Sequence, residues 1–146
     1  MMIRQITEKD FARLAELLRL LWPEKQFNYD ELRKVLKKYI KESNYQIHGY
    51  EEKGILVGLV TVSYRWAVFY EGKVATIEEL VVDQTRQGRG IGEKLVRFVE
   101  DVIVKDKKVK GIEMSSDLRR KSTHEFWEKL GYPKLAYQFR KELRRD

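Results

Sequence analysis

Apolar and polar positions along this 146-residue chain switch repeatedly between a period of two and a period near 3.6. Met2 to Ile6 reads as a short first strand. Phe11, Leu14, Ala15, Leu18 and Leu21 then fall on one face of a helix. Thr7 with Asp10 three residues on marks its start, and Trp22-Pro23 stops it. Asn28 with Glu31 repeats the start signal ahead of a second apolar stripe, Leu32, Val35, Leu36, Tyr39 and Ile40. Strands are expected over Tyr45 to Glu51, Ile55 to Val68 and Lys73 to Asp83, with turns at Lys53-Gly54 and Glu71-Gly72. Ile91, Leu95, Val99, Val102 and Ile103 make a third helical stripe, and Gly111 to Ser115 a fifth strand. Ser122 with Glu125 predicts the cap of a last helix that turns Phe126 and Leu130 inward and ends at Gly131. Alternation from Leu135 to Lys141 predicts a closing strand. The order β-α-α-β-β-β-α-β-α-β describes a mixed α/β fold, read as a single domain over residues 1–146.

Composition narrows the class. Hydrophobic residues make up 42% and charged residues 36%, as in a soluble globular protein with a heavily charged surface. No apolar run approaches the ~20 residues of a membrane span, so no membrane partner is expected. The N-terminus lacks a signal-peptide pattern, and the absence of cysteine removes disulfide and thiolate chemistry, so a cytoplasmic location is expected. The two histidines, His48 and His124, have no ligand spacing, so no metal is expected. The net charge of +7 fits either nucleic acid or a polyphosphate ligand. The one basic cluster, Arg140, Lys141, Arg144 and Arg145, comes with no nucleic-acid motif and reads as a solvated face, so nucleic acid is not expected as a partner.

The chemistry concentrates where an apolar strand, ending at Val81-Val82, runs into Gln87-Gly88-Arg89-Gly90-Ile91-Gly92 and then a helix. Three glycines at alternate positions leave the turn nearly bare of side chains. Backbone N–H groups at a helix start converge there, and Arg86 and Arg89 add positive charge. Such a turn suits a pyrophosphate. The spacing matches neither the G-x-G-x-x-G of dinucleotide folds nor the G-x-x-x-x-G-K-[ST] of P-loops.

Read as Q-x-x-G-x-G, the turn resembles that of the GCN5-related N-acetyltransferases. Ile77 to Val82 resembles that family's fourth strand, and Ser122 to Tyr132 its last helix and following turn. The resemblance implies parallel, splayed fourth and fifth strands, acetyl-CoA as cosubstrate, and transfer of its acetyl group to a primary amine, expected to be that of a small molecule. It places the cosubstrate against Leu80, Val81, Val82, Gln87, Gly88, Arg89, Gly90, Ile91, Gly92, Phe126 and Trp127, with the Val82 amide toward the thioester carbonyl. It makes Glu79 the candidate base, with a structural ion pair as the alternative, and Glu78 beside it the second candidate catalytic carboxylate, with a partnership to a nearby Lys or Arg as the alternative. Simple alternation would send these two neighbours to opposite faces of the sheet. Trp22, Tyr64 and Asp117 are the candidate acceptor-binding residues. Asp117 equally suits an Asx turn, and Trp22 a buried helix-end aromatic. Relatives of this kind often pair, so a homodimer is among the expected arrangements.

One position departs from the family pattern. Trp127 stands where a tyrosine usually serves as proton donor to the departing sulfur, and an indole N–H cannot deliver a proton at ordinary pH. Water could replace it, another hydroxyl such as Tyr132 or Tyr137 could reach in, or the chain could bind acetyl-CoA with little turnover. Protein or peptide amines are the alternative acceptors.

Overall fold

A computed structural model of the chain describes residues 2–143 and 145; Arg144 of the basic cluster lies outside the described residues. The chain forms two compact units, Met1–Met114 and Ser115–Asp146. The first carries β1 (Met2–Gln5), α1 (Phe11–Leu21), α2 (Tyr29–Lys41), β2 (Tyr45–Glu52), β3 (Ile55–Ala67), β4 (Gly72–Val82), α3 (Ile91–Ile103) and β5 (Val109–Met114). The second carries α4 (Lys121–Lys129).

The five strands lie in sequence order in one sheet. β1 to β4 are antiparallel neighbours, and β5 runs parallel to β4. The Lys53-Gly54 turn forms as the sequence predicts, both residues taking the positive φ that a two-residue hairpin needs. On one face of the sheet, α1 and α2 bury Leu14, Leu17, Leu18 and Leu36 against Ile47, Leu59 and Val81. Asn28 caps α2 as expected, its side-chain oxygen accepting from the Glu31 N–H at 3.2 Å. Val35, expected in the α2 stripe, is instead 49% exposed. α3 covers the other face with Leu95, Val96 and Val99 fully buried, and the Phe98 ring meets the His48 ring edge-on at 5.0 Å.

One close contact lies where α3 begins. A Cβ on Gly58 would lie 3.0 Å from Leu95 and 3.3 Å from Ile91, tighter than ordinary packing, so glycine gives the first turns of α3 room to rest on the sheet there. Gly58 pairs with Val82 in the β3–β4 ladder. The start of α3 is thereby seated beside the end of β4.

Two expectations in the second unit fail. α4 has Arg120 as its N-cap, with no side-chain cap bond, so the Ser122–Glu125 box does not form. The helix begins one residue before Ser122, which places that serine inside the first turn rather than ahead of it. The closing strand over 135–141 is also absent. Leu135, Tyr137 and Phe139 keep the alternation but are 87%, 75% and 92% exposed. Alternation supplies a strand's faces, but the strand itself exists only where a ladder partner satisfies its backbone. The C-terminal signal at Gly131 does form, with φ +96°.

Leu59 is fully buried and sits opposite Val81 in the ladder that carries the site. Leu59→Ala should lower the unfolding free energy by about 2–5 kcal/mol, read from the midpoint of urea denaturation with the slope unchanged.

Candidate active site

β4 has different partners along its two edges. It pairs with β3 from Gly72 to Val82, but with β5 only from Lys73 to Ile77. Among the described residues, 78–82 therefore have no ladder partner on the β5 side. The Asp83 N–H donates to the Val57 carbonyl at 2.7 Å. Backbone groups alternate edges along a strand, so Leu80 and Val82 turn their N–H and C=O away from β3, toward the side that β5 has left. The Val82 carbonyl there accepts from the Gln87 side-chain amide at 3.2 Å. Leu80 and Val82 are half-buried, and Val81 is buried on the α1–α2 face.

The glycine turn follows directly. Gly88 (φ +84°) and Gly90 (φ +77°) adopt the left-handed conformation that glycine takes without strain, and neither has a heavy atom within 4 Å of where a Cβ would sit. Gly90 is the N-cap of α3 and makes no side-chain cap bond, while Ile91 and Gly92 are the first two residues of the helix. The first N–H groups of an α-helix have no partner within the helix, so this end suits an anion. Asp83 ties the approach down. It accepts from the Thr85 N–H at 3.0 Å and from Arg13 at 2.7 Å, and these bonds hold its carboxyl at about 2. Arg86 and Arg89 both lie 3.6 Å from the Glu52 carboxylate, so part of the positive charge expected at this turn is already offset.

Glu78 and Glu79 do not take the opposite faces that simple alternation predicts. Thr61 pairs with Glu79 and Val62 with Ile77, which leaves Glu78 as the extra residue of a β-bulge. The bulge brings both carboxylates to one face. Glu79 accepts from the Thr61 hydroxyl at 2.5 Å and Glu78 from the Ser63 hydroxyl at 2.8 Å, and Thr61 and Ser63 are two apart on β3. The Thr61 oxygen also accepts the Glu79 N–H at 2.9 Å, so one hydroxyl holds both the backbone and the side chain of Glu79. Burial raises the Glu79 pKa; the Thr61 hydrogen bond opposes this, and the Glu78 charge adds to it. Tyr39 of α2 joins the cluster, its phenol raised by burial and then by the charges of Glu79 and Glu78.

The remaining candidates are placed elsewhere. Tyr64 belongs to the α3 face, opposite Thr61 and Ser63, where its hydroxyl accepts from Gln46 and Gln46 meets His48 at 2.9 Å. The structure does not bring Tyr64 to the carboxylates. Trp22 closes α1 and is 37% exposed, its ring 6.2 Å from that of Phe27, so it is not a buried helix-end aromatic. Asp117, Phe126 and Trp127 belong to the second unit. There Asp117 is engaged by the Arg119 side chain and backbone N–H, which hold it at about 2, in the Asx-type geometry that its sequence context also allows. Trp127 is buried, between the rings of Phe126 (5.2 Å) and Tyr132 (5.3 Å).

Thr61, Ser63, Tyr39 and Glu52 escaped the sequence reading. The available signal for the first two was a pair of hydroxyls, two residues apart, inside an otherwise apolar strand. Nothing in the sequence tied them to residues 78 and 79. No helix among the described residues is long and apolar enough to cross a membrane.

A profile described as the acetyltransferase (GNAT) family matches residues 12–132. The chain is 23% identical over 137 residues to the aminoalkylphosphonate N-acetyltransferase of Salmonella typhimurium, covering 94% of this chain and 85% of that protein. Among solved structures, a transcriptional regulator from Bacillus halodurans C-125 superposes with a TM-score of 0.87 at 21% identity, over 97% of this chain and 99% of the other. An aminoglycoside N-acetyltransferase, AAC(6')-Iy in complex with CoA, gives a TM-score of 0.82 at 16% identity, over 98% of this chain and 94% of the other.

The raised Glu79 pKa makes a stability prediction with a definite sign. A carboxyl that binds its proton more tightly when folded loses stability as pH rises from the ordinary glutamate value through the folded one. Glu79→Gln should therefore raise the melting temperature at pH 7, and the gain should vanish below about pH 4, near the unfolded glutamate pKa. Thermal scans across that range check it.

Proposed function

The chain belongs to the acetyltransferase (GNAT) family, and on that premise we propose that it holds acetyl-CoA on the turn at 87–92 and transfers the acetyl group to a primary amine of a small molecule. The observation that carries this reading is an adjacency. The β4 residues that have lost β5 lead straight into a helix start whose cap is a bare glycine. An extended amide-bearing arm suits the first feature and a pyrophosphate the second. Bound there, acetyl-CoA supplies the thioester from which the acetyl group is taken.

This chain's residues do the rest. The N–H groups of Ile91 and Gly92, at the head of α3, would hold the diphosphate, and Arg89, 3.6 Å from Glu52 in this structure, would add positive charge at the turn. Gln87 occupies the Val82 carbonyl, which leaves the Val82 N–H to polarise the thioester carbonyl. The amine must lose one proton for each N–C bond formed, and Glu79 receives it. Burial strengthens Glu79 as a proton acceptor, and Thr61 fixes its orientation. As the N–C bond forms, the S–C bond breaks, and the sulfur leaves as thiolate and takes a proton from solvent. A small-molecule amine is supported by the Salmonella relative, named for aminoalkylphosphonates, and by the aminoglycoside enzyme.

Gly90→Asp tests the turn. Aspartate tolerates the left-handed conformation, and the position is open, so the protein should still fold. Its charge over the helix start should weaken acetyl-CoA binding by roughly 100-fold or more, measured by calorimetry, with an unchanged circular dichroism spectrum. Wild-type affinity in this variant would move the cosubstrate to another part of the chain. In the same series, Glu79→Gln should lower kcat/KM for the amine by about 10²- to 10⁴-fold and leave acetyl-CoA affinity intact.

A further inference from the structure

We propose that Glu78 is a cation anchor beside Glu79, and that the acceptor is a small amine carrying a second positive charge, a diamine or polyamine in chemical class. This rests on the reading of Glu79 as the proton acceptor of the transferred amine, and it deepens that reading by naming what the acceptor must carry.

Charge pairing sets these two carboxylates apart. The chain has 30 basic and 23 acidic residues, so cations are in surplus. Six other half-buried carboxylates, Asp10, Glu51, Glu52, Asp83, Glu100 and Asp106, all have an Arg or Lys partner. Glu79 is the half-buried exception among the described residues; its side-chain bond goes to a hydroxyl, and no ion pair forms. Glu78, exposed beside it, is likewise bonded to a hydroxyl and not to a cation. Arg65, two residues beyond Ser63 on β3, turns instead to Glu113 at 3.6 Å. Two negative groups held side by side without a countercharge carry an unfavourable energy that a dication relieves.

The bulge is what makes the second charge usable. In a regular strand Glu78 would face away from Glu79. As the extra residue it is turned to the same face, and Ser63 and Thr61 hold the two carboxylates in register along β3. The walls suit an alkylammonium. The rings of Tyr39 and Tyr45 lie 4.5 Å apart, and Tyr45 pairs with Ser63 across the β2–β3 ladder. Aromatic faces attract cations and accept methylene chains. The same site repels an acceptor whose second group is an anion. The preference therefore runs opposite to the one implied by the name of the Salmonella enzyme, whose acceptor carries a phosphonate.

The test uses the full chain with acetyl-CoA and follows thiol release with three acceptors of equal length: a linear diamine, the monoamine, and the aminoalkylphosphonate. We expect kcat/KM for the diamine to exceed that for the monoamine by about tenfold, as one added charge contact implies, and to exceed that for the aminoalkylphosphonate by more. Glu78→Gln should collapse the diamine-to-monoamine ratio toward one, chiefly through KM. A preference for the aminoalkylphosphonate, or a ratio unchanged in Glu78→Gln, overturns the anchor and leaves the transfer reading standing. Should no amine be acetylated, the transfer reading falls, and NMR titration of the diamine into the protein decides the anchor separately. Diamine binding lost in Glu78→Gln upholds it, and absence of binding overturns it.

Discussion

Beyond Ile77, β4 keeps its ladder with β3 and, among the described residues, has no ladder partner on its other side. A strand inside a sheet satisfies its backbone along both edges; one that loses a neighbour midway leaves peptide groups whose satisfaction must come from elsewhere. Here one such group is met internally, the Val82 carbonyl by the Gln87 amide. The others mark where an extended ligand can add to the sheet. The bulge at Glu78 sits at this same point, directly after the last residue paired to β5. Local twist, loss of pairing and reorientation of a carboxylate are thus one structural event.

The site needs its two ends held at a fixed separation, and the packing supplies this. Gly58 leaves room for α3 close to the sheet opposite Val82, which seats the helix start beside the strand end. Asp83 anchors the first residue after β4, bonded to the Thr85 N–H and to Arg13 of α1. Arg13 also donates to the Leu56 carbonyl at 2.8 Å, which ties α1, the start of β3 and the end of β4 into one network. Between these flanks Gly88 and Gly90 take the left-handed conformation.

Electrostatics divides the site into two signs. The turn is basic, and the α3 N-terminus adds to that sign, while Glu52 offsets part of it. The carboxylate cluster is acidic, and among the described residues its side-chain bonds go to hydroxyls and not to basic groups. A chain of net charge +7 could have paired Glu79, as it pairs its other half-buried carboxylates, and the exception coincides with the place where the proposed amine must come.

The sequence by itself determined the elements of the first unit and the glycine turn, because both are local. Apolar periodicity identifies strands and helices within a few residues, and positive-φ glycines at a helix start need no distant partner. It also determined that Glu79 lies on β4. It misjudged the segment over 135–141, where alternation was present and no ladder formed, since pairing is a property of two segments and not of one. The shared face of Glu78 and Glu79, their clasp by Thr61 and Ser63, and the separation of Tyr64 from that cluster were decided only in the tertiary structure. A single unpaired residue in the ladder reverses which way its side chain points, and register between strands 15 to 18 residues apart in sequence is set by packing, not by the residues' own preferences.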